Sequence, residues 1–192
     1  MKKITFILCF LFLATSVFAQ SNILVVKKKA AACSVSSNEL GRRDEDSSTA
    51  AGTNAYMYCT LFTPDCSGKL YTAYLRHAAT DTENAKVCAY LDDGDSAPDS
   101  GDSLVECSGA IGSGGTSGWK NAAMATNPSV STENNYWVCI LNEDSTAWNM
   151  YYNASGSRRG MNCTGCYASP PETLDGTWSN TTALTDVYIT VG

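Results

Sequence analysis

Apolar and polar positions alternate along most of this chain, and apolar residues never recur at the three-and-four spacing of a long amphipathic helix. The alternation is clearest through Ala85, Val87, Ala89 and Leu91, whose neighbours Lys86 and Tyr90 face the other way. Val187, Ile189 and Val191 repeat it near the C-terminus. The pattern predicts strands over residues 23–26, 56–62, 70–76, 86–91, 104–107, 119–125, 136–141, 148–152 and 187–191. Clusters of Gly, Ser, Asn, Asp and Pro separate them, notably over 112–118 and 92–102. Many short strands with frequent turns indicate an all-β antiparallel sandwich or barrel. The stretch 34–53, rich in Ser, Ala and charge, reads instead as a long surface loop. No repeat of 20 to 50 residues is visible, which argues against a solenoid or propeller.

The N-terminus follows a different rule. Lys2 and Lys3 precede an apolar run from Ile4 to Ala14, and Val17-Phe18-Ala19 offers a cleavage site before Gln20. This is the layout of a secretory signal peptide, and the run is shorter than the roughly 20 apolar residues of a bilayer span. Three segments are expected: a signal peptide over 1–19, an N-terminal strand with a polar tether over 20–54, and a sandwich domain over 55–192. Cleavage removes two lysines and no acid, so the net charge moves from −6 to −8. The basic pairs and triplets at 27–29, 42–43 and 158–159 are short and scattered, so nucleic acid is not an expected partner.

Export changes how the cysteines read. Beyond Cys9 of the signal, Cys33, Cys59, Cys66, Cys88, Cys107, Cys139, Cys163 and Cys166 form an even set, as expected of a disulfide framework. Eight cysteines allow about 105 pairings, and sequence does not choose among them. Zinc is disfavoured, because Cys163-Thr-Gly-Cys166 has no second close pair and His77 is the only histidine. A single histidine also removes most acid–base schemes, and no nucleophile elbow, zincin helix or phosphate loop can be assembled. Glu106, Glu133, Glu143 and Asp144 are the carboxylates a sandwich glycosidase would draw on, but they sit where surface acids are ordinary. The expectation is a protein that binds rather than catalyses.

Several short motifs carry a resemblance. Leu70-Tyr71-Thr72-Ala73-Tyr74-Leu75 is followed by Val87-Cys88-Ala89-Tyr90-Leu91-Asp92-Asp93 with Pro98 and Leu104, then Gly118-Trp119, then Tyr136-Trp137-Val138-Cys139-Ile140. Residues 56–152, with Val187-Tyr188-Ile189-Thr190 as a closing strand, resemble secreted and surface-exposed jelly-roll β-sandwich modules of bacterial and phage proteins. The resemblance implies a lectin-like or carbohydrate-binding-module-like architecture, commonly non-catalytic, and it supplies no ligand residues. The dense cysteines depart from that pattern and suggest a free-standing, disulfide-hardened domain.

Two features could bind. Trp148, Tyr151, Tyr152, Arg158 and Trp178 mix flat aromatic faces with hydrogen-bonding groups, the combination that suits a carbohydrate or cell-surface glycan. Trp119 and Trp137 are expected in the core instead. The loop 92–102 packs five carboxylates into eleven residues. Calcium accepts six to eight oxygens, but the spacing is not that of an EF-hand and Asp and Gly are ordinary turn residues. The loop therefore reads as an exposed, solvated turn, with no metal ligand or cofactor assigned. The rival to a glycan-binding domain is a structural subunit of a fibre, appendage or surface layer, whose 23–26 strand would complete a neighbouring copy's sheet. Asn153, Asn162 and Asn180 begin Asn-x-Ser/Thr sequons.

Overall fold

The computed structural model describes residues 38–44, 48–51, 55–78, 83–112, 114–143, 149–153, 158–181 and 184–192. The expected signal peptide, the 23–26 strand, Cys33, Asp144 and Trp148 lie outside them. Among the described residues there are fifteen strands: β1 (Glu39–Arg42), β2 (Ser48–Ala51), β3 (Tyr56–Phe62), β4 (Gly68–His77), β5 (Asn84–Leu91), β6 (Ser103–Cys107), β7 (Ile111–Gly112), β8 (Gly118–Ala123), β9 (Ser129–Val130), β10 (Tyr136–Asn142), β11 (Asn149–Asn153), β12 (Arg158–Asn162), β13 (Ser179–Thr181), β14 (Leu184–Thr185) and β15 (Val187–Val191). No described residue is helical.

The strands form two antiparallel sheets, so the expected all-β sandwich is present. One sheet has eight strands in the order β1-β15-β4-β11-β14, with β2 on β11 and with β8 and β9 on β4. The other has seven in the order β13-β12-β3-β10-β5-β6, with β7 on β5. Between them lies a core built from alternate positions. Leu70, Ala73, Leu75, Val187, Ile189 and Val191 come from the first sheet, and Tyr58, Val87, Ala89, Val138 and Ile140 from the second. Each large aliphatic side chain buried there contributes about 1.5–3 kcal/mol.

The reading of 34–53 as a loop is corrected at two described segments, β1 and β2. Leu40 is fully buried in this core, and β1 pairs in register with β15, Leu40 opposite Ile189. β2 pairs with β11. The sandwich therefore includes β1 and β2, upstream of residue 55. The short polar strands β12 and β13 were not expected either; β12 (Arg-Arg-Gly-Met-Asn) is held by its partner β3 rather than by any pattern of its own.

The seven-stranded sheet has a second core on its outer side. Every residue of β10 is buried, as befits a central strand covered on both faces. Met57, Cys59, Cys88, Tyr90, Trp137, Cys139, Leu141 and Met161 point away from the inner core and join Cys166 and Leu174 in a separate buried cluster. The cover is the segment that leaves β12 and returns as β13. A Cys163–Cys166 disulfide closes its first turn. Lys86 Nζ then donates to Tyr167 O (2.8 Å), Tyr90 Oη to Pro171 O (3.0 Å) and Leu104 N to Glu172 O (2.8 Å). Trp178 Nε1 donates to Leu174 O (2.8 Å) before β13 rejoins the sheet.

Beneath this cap, Cys107, Cys88, Cys139 and Cys59 occupy one row across four neighbouring strands. Disulfides join Cys59 to Cys139 and Cys88 to Cys107, each with Cα atoms 4.0 Å apart. Cys66 is also disulfide-bonded. The bridges indicate an oxidising environment, and among the described residues no helix is long and apolar enough to cross a membrane.

Candidate ligand-binding face

Among the described residues, the outer side of the eight-stranded sheet carries no apolar cluster like the one that buries its counterpart, and its chemistry follows from strand parity. Leu75 and His77 of β4 point inward, so Thr72, Tyr74 and Arg76 point out; Ile189 inward puts Tyr188 and Thr190 out. Register then sets Tyr74 beside Tyr188 on β15 and beside Asn121 on β8, and sets Arg76 beside Trp119. The Tyr74 and Tyr188 rings stack nearly parallel, 6° apart with centroids 4.6 Å apart, and Trp119 meets Tyr188 edge-on at 5.1 Å. Arg43 lies 5.3 Å over the Tyr188 ring and Arg76 lies 4.1 Å over the Tyr151 ring.

The guanidinium groups are anchored. Arg76 Nη1 reaches Asp186 Oδ2 at 3.3 Å, and Arg42 Nη1 reaches Asp186 Oδ1 at 3.5 Å. Asp186 is fully buried, so its charge is offset where it sits. Arg43 pairs with Glu39 at 3.3 Å, a more exposed contact worth little by itself. Burial raises the pKa of Tyr188; Arg43 opposes the shift, while Glu39 and Tyr74 add to it. Tyr74, Arg76, Trp119 and Tyr151 stay half-buried and Asn121 is exposed, so their outer edges remain available.

The residues expected to form one binding site are dispersed. Tyr151 is on this face. Tyr152 follows it on β11 with opposite parity and lies beside Arg158. Arg158, expected on an exposed loop, is instead buried between the sheets. Its Nε donates to Thr181 Oγ1 (3.0 Å), its Nη1 to Thr185 Oγ1 (2.7 Å), and its guanidinium covers the Tyr58 ring at 4.0 Å. Desolvation lowers its pKa, with Tyr58 and Tyr152 acting the other way. It also lines a cleft of about 210 Å³ with Thr60, Leu61, Ser96, Trp137 and Arg159. Trp178 belongs to the cap, its N–H already committed. Trp137 is buried as expected, though beneath the cap rather than between the sheets, and Trp119 is not in the core.

Tyr74, Tyr188, Arg43, Arg76 and Asp186 were absent from the sequence-based candidates. Parity along β4 and β15 puts Tyr74, Arg76 and Tyr188 on outward positions, but only inter-strand register brings them together. Among the carboxylates a hydrolase would need, Glu106 accepts from Thr126 Oγ1 and Glu143 from the Asn84 side-chain amide. His77 is fully buried. Comparison of the chain with protein-family models, with curated proteins and with solved structures found no match.

Proposed function

We propose that this is a secreted binding domain rather than a catalyst, with extracellular or cell-surface glycan as its ligand class. The recognition surface is the outer face of the eight-stranded sheet. The observation that carries this reading is the grouping of half-exposed Trp119, Tyr74 and Tyr151 with Arg76 and Asn121 on one rigid sheet. Sugar rings offer C–H faces to aromatic groups and hydroxyls to guanidinium and amide groups, so both halves of the chemistry are present. Rings held by stacking and guanidinium groups held by a buried carboxylate lose little freedom on binding. The signal-like N-terminus, the disulfides and the resemblance to jelly-roll modules support the same reading.

The test is a glycan array probed with the mature protein and with Trp119→Ala. Binding by the wild type, lost in the variant without loss of fold, is the expected result. A wild type that binds no glycan and elutes from size exclusion as a large assembly would replace this reading with the structural-subunit one.

A further inference from the structure

The acidic loop after β5 differs from a solvated turn in one respect: two of its five carboxylates are buried. Asp102 is fully buried and builds the loop, accepting from Asp93 N at 3.2 Å and from Asp99 N at 3.0 Å. Asp92 is 7% exposed, and neither of its oxygens has a hydrogen-bond partner. A buried carboxylate with no donor is among the costliest arrangements a protein can hold, and such charges are normally paired or bound to metal. No Lys or Arg among the described residues pairs with it. Asp92, Asp93 and Asp95 each present a carboxylate oxygen, and the three oxygens lie within 4.8 Å of one another.

We propose that Asp92, Asp93 and Asp95 bind one calcium ion, with Asp92 as the buried ligand. Three clustered anionic oxygens without a counter-charge call for a hard cation. A short loop with Gly94 and Ser96 at positive φ suits the flexible coordination of calcium better than the strict octahedron of magnesium. Loop carbonyls and water complete the six to eight oxygens that calcium takes. The site is independent of the glycan face, which lies on the other sheet.

Gly101 supplies a test that spares every ligand. A methyl group there would fall on Asp93 Oδ2 and crowd Asp99 Oδ1, so the Asp93 carboxylate must move. The mature protein, stripped with chelator, is titrated with calcium chloride by calorimetry and melted with and without the ion. One ion per chain is expected, with Kd about 0.1–1 mM as in extracellular modules. A tenfold excess over Kd should raise the melting temperature by about 4 °C. Asp92→Asn and Gly101→Ala should each weaken binding about tenfold or more, because one loses a charged ligand and the other displaces one. The proposal fails if wild type melts identically in calcium and in chelator, or if both variants bind calcium as wild type does. An equal response to magnesium would overturn the choice of ion.

Discussion

Trp137 and Trp119 both sit on strands and both point away from the space between the sheets, yet their surroundings differ. Trp137 is 3% exposed, clustered with Leu174 and Cys166 of the cap. Trp119 is half-exposed and touches Tyr188 edge-on. The outer face of one sheet has become a second core, while the other has become a surface of rings and guanidinium groups. The same residue type thus serves stability on one side and is available for recognition on the other. What decides is whether a later segment of chain crosses the face.

Substitutions should separate the two faces sharply. Trp137→Ala should cost about 4 kcal/mol in urea denaturation, the range for emptying a buried aromatic site. A loss below about 1 kcal/mol would mean that the covered face is not a core. Leu174→Ala removes the buried anchor of the cap and should cost about 3 kcal/mol. It should also expose Trp178 to a fluorescence quencher, and unchanged quenching would show that the cap is held by its backbone contacts alone.

A third measurement uses pH. The Tyr90 hydroxyl is buried and donates to Pro171, and burial, assisted by Glu172, raises its pKa well above the ordinary value of 10.0. The unfolded chain therefore loses this proton first, and stability should fall as pH rises above about 10, at most by about 1.4 kcal/mol per pH unit. Tyr90→Phe should flatten that slope; an unaltered slope would assign it to other tyrosines. The smallest stability effect belongs to the open face. Trp119→Ala should cost under about 1 kcal/mol while abolishing glycan binding, and a loss matching that of Trp137→Ala would erase the distinction between the faces.

Sequence made the strands with strong alternation legible: 56–62 and 187–191 coincide with β3 and β15, and the other expected strands that fall on described residues differ by a few residues at their ends. It missed strands whose stability comes from partners, as in polar β12, and the 34–53 stretch, where a single Leu40 anchors β1. Trp119 was misplaced for a related reason. Parity says that a side chain points out of one side of a strand, but not whether that side will be covered. The cover on the other sheet arrives from residues 163–178, far along the chain from β5 and β10, which it buries. The dispersal of Tyr151, Tyr152, Arg158 and Trp178 has the same origin, since neighbours in sequence alternate between faces and sheets. The acidic loop was legible as a cluster, whereas the burial of Asp92 was not.

The row of four cysteines has a mechanical consequence. Its two covalent links fall between β3 and β10 and between β5 and β6, so the middle step, from Cys139 to Cys88, is spanned by hydrogen bonds alone. Within the four-strand block β3-β10-β5-β6 that step is the one without a covalent link, so under tension the block should part between β10 and β5, leaving two pairs of strands each still sewn together by sulfur.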